Sequence, residues 1–380
     1  MIYLDHNATT PVDPQVIEVM QACLQNDFGN PSSLYALGRQ ARRHLEDSRD
    51  ILAQALNVAP DEVFFTSGGT ESINLALRGF LKKNRRVNTK PHVISTAVEH
   101  KSVLETLKTL EEEGVMDLTL VGVDRLGRLS LDDFEKARRP ETLLVSVMWV
   151  NNEIGNIYPV ADISQWAQSH KIALHVDAVQ ALGKIPTDLS SIGADLVSFS
   201  GHKIYGPKGV GALYVKSGVK IAPLITGGAQ EMEKRGGTEN LLGIVGFAKA
   251  LTLLPDLLKQ QAQIAILRNK LQSGLQALPG AQVQGDLNSR VAQTLSMTFE
   301  GLESEMGIIA LDREGIAVSS GSACASGAVE PSHVLLAMGV DKAQAKGVIR
   351  FSLGKSTCET DIEKVLKIFP GVVSRLREGN

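Results

Sequence analysis

The stretch Ser200-Gly201-His202-Lys203-Ile204-Tyr205-Gly206-Pro207-Lys208-Gly209 lies between two apolar runs, Asp195-Leu196-Val197-Ser198-Phe199 before it and Gly209-Val210-Gly211-Ala212-Leu213-Tyr214-Val215 after it. Each run reads as a buried strand, so the adjacent histidine and lysine fall on the connection at a strand's mouth. A lysine desolvated there has a lowered pKa and presents a neutral amine, the state a Schiff-base lysine needs. Taken alone, the stretch fits a solvated surface lysine equally well.

Outward from it, apolar runs at 62–66, 92–95, 118–121, 143–148 and 173–177 alternate with helical patterns, among them 34–56, 101–112 and 163–169. That alternation predicts an α/β fold with a mostly parallel sheet covered on both faces, whose ligand sits outside the carboxyl ends of the strands. Thr70, His100, Asn152, Asp177 and Lys203 all fall at or just after expected strand ends. A helical stretch over 241–278, broken at Pro255, hands the chain to a smaller α/β unit, where 293–299 alternates as a half-buried strand and 348–353 is another. The expected division is a large domain over 15–255 and a small one built from 1–14 and 256–380.

The bulk composition excludes several function classes. With 39 basic and 42 acidic residues the formal charge is −3, and there is no basic stripe of the kind nucleic-acid binders carry. The densest basic cluster, between Arg39 and Arg49, is mixed with acids and reads as a solvated helix face. No apolar run approaches a membrane span, and no secretory pattern opens the chain. Three scattered cysteines make neither a disulfide framework nor a metal knuckle, so a cytoplasmic, reducing compartment is expected.

The candidate residues form a set that a pyridoxal-type cofactor requires: an amine, an acid for the ring nitrogen, a phosphate cradle and a ring stacker. Lys203 supplies the amine. Asp177, ending an apolar strand, suits a buried carboxylate that pairs with a cation, or else it caps a helix. Ser67-Gly68-Gly69-Thr70, between a strand and a helix, forms an anion site to which Ser200 and His202 add donors. His100 is placed to lie over a ring, and Gln180 to reach its phenolic oxygen; a loop histidine and turn chemistry are the plainer alternatives. Arg350 fits a substrate carboxylate or an internal salt bridge. Arg235 either approaches a phosphate or is solvated. Cys324, in a run of small residues, is a nucleophile or sulfur carrier, or an inert thiol, whereas Cys23 and Cys358 read as core filler and helix start.

Several motifs, in order, resemble the cysteine desulfurases of the NifS/IscS type within the class-V aminotransferases: Tyr3-Leu4-Asp5-His6-Asn7-Ala8-Thr9-Thr10-Pro11, Gly29-Asn30-Pro31-Ser32-Ser33, Thr66-Ser67-Gly68-Gly69-Thr70-Glu71, His175-Val176-Asp177-Ala178-Val179-Gln180, Ser200-Gly201-His202-Lys203, Arg235-Gly236-Gly237-Thr238 and Ser319-Ser320-Gly321-Ser322-Ala323-Cys324. Departures are small: Tyr35 and Lys234 replace residues more common in the family, and the chain stops soon after its last helix. The resemblance implies an aspartate aminotransferase-like fold and a pyridoxal 5'-phosphate enzyme that converts L-cysteine to L-alanine and leaves the sulfur as a persulfide on Cys324. It assigns the cofactor to Gly69, Thr70, His100, Asn152, Asp177, Gln180, Ser200, Gly201, His202 and Lys203. Thr238 is assigned to the partner subunit's phosphate in a homodimer, and Asn152 and Arg350 to the substrate. No intrinsic metal is implied, although Cys324 is a candidate transient ligand of a shared iron–sulfur cluster. The expected acceptor is an iron–sulfur scaffold or a tRNA-thiolation protein. The rivals are a selenocysteine lyase, another aminotransferase of the class, and a sulfur-relay scaffold without turnover.

Overall fold

The computed structural model describes residues 1–85, 89–320 and 331–378. The chain opens with β1 (Ile2–Tyr3), α1 (Pro14–Asn26) and α2 (Ala36–Leu56), followed by β2 (Val63–Thr66), α3 (Gly69–Asn84), β3 (His92–Thr96), α4 (Lys101–Glu112) and β4 (Asp117–Val121). Next come α5 (Leu131–Ala137), β5 (Thr142–Met148), α6 (Val160–Ser169), β6 (Ala173–Asp177), β7 (Leu196–Ser200) and β8 (Gly211–Val215). Helices α7 (Leu241–Thr252) and α8 (Leu254–Gln276) lead to β9 (Ala281–Gln284), β10 (Thr294–Phe299), α9 (Ser304–Arg313) and β11 (Ile316–Ala317). The described chain closes with α10 (His333–Ala337), α11 (Lys342–Lys346), β12 (Val348–Ser352) and α12 (Glu359–Glu378).

Among the described residues the main sheet has seven strands in the order β2-β8-β7-β6-β5-β3-β4. Strands β4, β3, β5, β6 and β7 run parallel, while β8 is antiparallel to both β7 and β2. Every residue of β3, β6 and β7 except Ala173 is buried, as expected of strands covered on both faces. After β3 the chain moves outward to β4 and then returns to the other side of β3 as β5. The strand order therefore reverses between β3 and β5, which opens a crevice at their carboxyl ends.

A second, antiparallel sheet runs β12-β10-β9, and β1 pairs in parallel with β11. Its core includes Leu271, Leu295, Phe351 and Phe369. Helix α8 joins the two bodies: Leu254 and Leu257 pack in the main core, and Ile264 to Leu275 pack in the second. Pro255 stands in its first turn, where a missing N–H breaks no helical bond.

Two expectations need correction. The 293–299 strand alternates but is not half-buried, for all of Thr294–Phe299 is buried. Its polar face is covered by partners rather than solvent: Asn7 Nδ2 donates to Thr294 Oγ1 at 2.9 Å and Gln284 Nε2 to Thr298 Oγ1 at 2.9 Å. Nor is the basic cluster of α2 wholly solvated. Arg49 is buried and grips Glu231 with two nitrogens, at 2.9 and 2.8 Å.

Candidate active site

The carboxyl ends of β2, β3, β5, β6 and β7 and the start of β12 surround a cavity of about 350 Å³, within the range of small-molecule sites. Gly69, Thr70, His100, Asn152, Asp177, Gln180, Ser200, His202, Lys203 and Arg350 all line it. Gly201 does not line it; it faces the packing, where an added Cβ would stand 3.0 Å from Val210 and 3.2 Å from Phe247. Thr238 stands exposed beside a separate depression near Arg235 and Asn240. Cys324 lies outside the described residues.

Lys203 ends a 3-10 turn that follows β7 directly. Its Nζ donates to Asn7 O at 2.6 Å and to Ala8 O at 2.7 Å. Burial, and then the Arg350 guanidinium, lower its pKa to about 8. Asp177, the last residue of β6, is 5 % exposed and accepts from the Val179 N–H at 3.0 Å. Burial raises its pKa to about 6, and no ion pair holds it among the described residues. A buried carboxylate on a cavity wall without a cation suits a ligand that brings a protonated nitrogen.

On the opposite wall α3 begins at Gly69, so its first backbone N–H groups are turned out of the helix end beside Thr70. Gly68 holds φ 153° and ψ −178°, a conformation essentially restricted to glycine. A Cβ on Gly69 would stand 2.9 Å from Val179 Cγ2, so glycine also permits close contact with the β6 connection. With Ser200 and His202 alongside, this wall has the donors for a phosphate. The donor sets on the two walls therefore fit pyridoxal phosphate.

His100 caps α4. Its Nδ1 accepts the Ser102 N–H at 3.1 Å, with Ser102 Oγ at 2.6 Å. Its ring is open to the cavity, yet the surrounding protein strips solvent and, with Lys203, lowers its pKa to about 4. Gln180 donates from Nε2 to Asn7 O at 2.9 Å and accepts from Lys184 through Oε1. Arg350 makes the internal salt bridge of its second reading, pairing with Asp5 at 2.7 Å; it also donates to Asn152 O at 2.9 Å and lines the cavity. Arg235 is neither free nor near the cavity, because it pairs with Glu71 at 3.0 Å.

Sequence reasoning missed three contributors. Asn7 and Ala8 act through carbonyl oxygens, which no side-chain pattern signals. His333 also lines the cavity, where its Nε2 stands 2.9 Å from Glu99 O. Its place in the Pro331-Ser332-His333 run after the cysteine motif was the available signal.

The class-V aminotransferase profile matches residues 2–365. A protein of Methanosarcina thermophila named cysteine desulfurase IscS is 42% identical over 377 residues, covering 99% of this chain and 93% of its own. A solved NifS-like protein superposes with a TM-score of 0.92 at 40% identity, covering 98% of this chain and 99% of its own. A structure described as SspA in complex with cysteine gives a TM-score of 0.83 at 35% identity, covering 94% of this chain and 100% of its own.

Proposed function

The chain belongs to the class-V aminotransferase family, and from that premise we infer that it is a cysteine desulfurase, removing the sulfur of L-cysteine and releasing L-alanine. The observation that carries this reading is the meeting, in one cavity, of the Lys203 amine with the buried Asp177 carboxylate that lacks a cation, in a chain alike over nearly its whole length to proteins named for that activity.

Pyridoxal 5'-phosphate, when bound, draws electrons from the substrate's Cα and so makes its proton and its sulfur labile. Lys203 would hold the cofactor by its amine, Asp177 its ring nitrogen, and the first turn of α3 with Ser200 and His202 its phosphate. Gln180 would present its remaining amide N–H to the phenolic side, since its oxygen is occupied by Lys184 and its other N–H by Asn7 O. His100 closes over the ring. Arg350 and Asn152 orient the carboxylate of L-cysteine, and the Lys203 amine, lowered in pKa, takes the Cα proton. Cys324 receives the sulfur and passes it to an acceptor protein, either an iron–sulfur scaffold or a tRNA-thiolation protein. Free-thiol chemistry suits a reducing, cytoplasmic compartment.

The functional unit is a homodimer in which Thr238 reaches the second subunit's phosphate. Its exposed place outside its own cavity supports this, as do the exposed Leu34 at 90 % and Phe28 at 77 %. The domain division at 255 is supported by α8, which leaves one core and enters the other.

Lys203→Ala is expected to abolish the visible absorbance that borohydride fixes on the wild-type lysine. Cys324→Ser keeps that absorbance but loses alanine formation from cysteine. Full sulfide release by the Cys324→Ser protein refutes the assigned carrier, and turnover of selenocysteine alone refutes the substrate.

A further inference from the structure

Three histidines line the cavity, and the hydrogen bonds of two of them, His100 and His333, give them opposite capacities. The Ser102 N–H can only donate, so His100 Nδ1 is an acceptor and the hydrogen of the neutral ring sits on Nε2. His100 therefore has no lone pair to offer the cavity from Nε2. For His333 the fixed partner is Glu99 O, which can only accept, at 2.9 Å from Nε2. Its hydrogen also sits on Nε2, but here the bond is made with protein, and Nδ1 keeps its lone pair.

A carboxylate stands behind that lone pair. Glu153 Oε1 lies 4.0 Å from His333 Nδ1, and the Glu153 side chain is 5 % exposed. Ser332 Oγ donates to Glu153 Oε2 at 2.5 Å, and the Glu153 N–H donates to Asn151 Oδ1 at 2.9 Å. Glu153 is thus held on the connection after β5, while His333 opens α10. A nearby carboxylate favours the charged imidazole. The other titratable groups facing this corner are Glu99, His100 and Lys101 from the β3–α4 connection, Lys203 after β7, and Arg350 on β12. Lys203 serves the Cα proton in the desulfurase reading and Arg350 carries no lone pair, so neither is assigned the thiol proton.

We propose that His333, backed by Glu153, is the proton acceptor for the thiol of L-cysteine in this cavity. The proposal rests on the cysteine desulfurase reading. In the step the substrate S–H bond breaks, an N–H bond forms at His333 Nδ1, and the electron pair stays on sulfur. Glu153 Oε1, 4.0 Å from the same nitrogen, stabilises the new imidazolium by its charge, without a hydrogen bond. His100, next in the chain to the Glu99 that holds His333, complements it as an N–H donor.

The test uses the cofactor-loaded enzyme and two independent readings. Nitrogen-15 histidine spectra, assigned by difference with His333→Gln, are expected to place the hydrogen of neutral His333 on Nε2; a hydrogen on Nδ1 overturns the proposal. The pH profile of kcat/KM for alanine formation is expected to have an acid limb. His333→Gln should lose that limb and fall about 100-fold at its plateau, the lower range of general-base effects. Glu153→Gln should lower the plateau rate as well, because the imidazolium then forms without its neighbouring carboxylate. A merely structural His333 would lower the rate and leave the limb in place, which also overturns the proposal. If wild-type enzyme forms alanine while His333→Gln keeps both limb and rate, this inference alone fails. If wild-type enzyme forms no alanine from cysteine, the desulfurase reading fails with it.

Discussion

Replacing Glu231 by Ala should be among the most damaging single changes available outside the cavity. Glu231 accepts from Arg49 with both oxygens, at 2.9 and 2.8 Å, and from the Phe65 N–H at 2.7 Å. The Arg49 and Glu231 side chains are only 5 % and 2 % exposed, so solvent does not screen them. Removing Glu231 leaves the buried Arg49 only the more exposed Glu46, 3.1 Å from its Nε, at up to about 3–5 kcal/mol, and the orphaned Phe65 N–H adds about 1–3 kcal/mol. The pair term alone shifts the folding equilibrium between about 10² and 10⁴-fold. The same carboxylate anchors Glu231, Met232 and Glu233, whose φ values of 46°, 51° and 64° are all left-handed. Such residues cost roughly 1–3 kcal/mol each and persist only where the surroundings impose them. The loop they begin carries Thr238, so the proposed dimer should weaken together with stability. The assay is urea unfolding of Glu231→Ala, Arg49→Met and the Arg49→Met/Glu231→Ala double variant, followed by circular dichroism, with sedimentation for the proposed dimer. The double variant should lose little more than either single, giving a coupling of about 3 kcal/mol. Single losses that add to the double within about 0.5 kcal/mol would refute a functioning buried pair.

Two further outcomes follow from buried groups near the sheet. His175 is fully buried between Ser146 and Ser198, at 2.8 and 3.0 Å, and burial lowers its pKa to about 3. The unfolded chain takes up a proton near pH 6.5 that the folded chain refuses, so its contribution falls as pH drops below 6.5, by about 1.4 kcal/mol per unit until about pH 3. His175→Gln should flatten the stability profile by that slope, and an unchanged slope between pH 6 and pH 4.5 would count against it. An added Cβ at Gly354 would run into the imidazole of His6, which Tyr3 also holds by an edge contact at 4.9 Å. Gly354→Ala should therefore lose about 2 kcal/mol by overpacking, read as a lowered melting temperature; a variant as stable as wild type would show that His6 yields freely.

The main sheet was legible because its strands are buried on both faces and read as continuous apolar runs. The site was legible for a related reason: residues immediately after those runs are carried to one edge, so Thr70, His100, Asn152, Asp177 and Lys203 converge by topology alone. Where local pattern carries no signal, the reading stopped. β1 has two residues, and the Ala281-Gln282-Val283-Gln284 of β9 alternates too briefly to stand out. Arg49 looked solvated because its partner lies 182 positions away. The carbonyls of Asn7 and Ala8 are common to every residue type. The accepting nitrogen of His333 depends on a backbone oxygen from another element, which only the folded chain brings near.

The joining of β1, β11 and β12 has a consequence for the timing of synthesis. Asp5 is paired with Arg350, 345 positions later, and the Asn7 N–H is bound to Ser352 Oγ at 3.0 Å. The carbonyls that restrain Lys203 belong to this same opening strap. At about 5–20 residues per second, the strap waits on the order of 20 to 70 s for its partners to emerge. The main sheet has all its strands well before then, so a nascent chain holds a folded sheet but an open cavity. Completion of the cavity is thereby deferred until β12 has emerged, and a truncated chain ending before β12 leaves Asp5 and Asn7 without the residues that seat them.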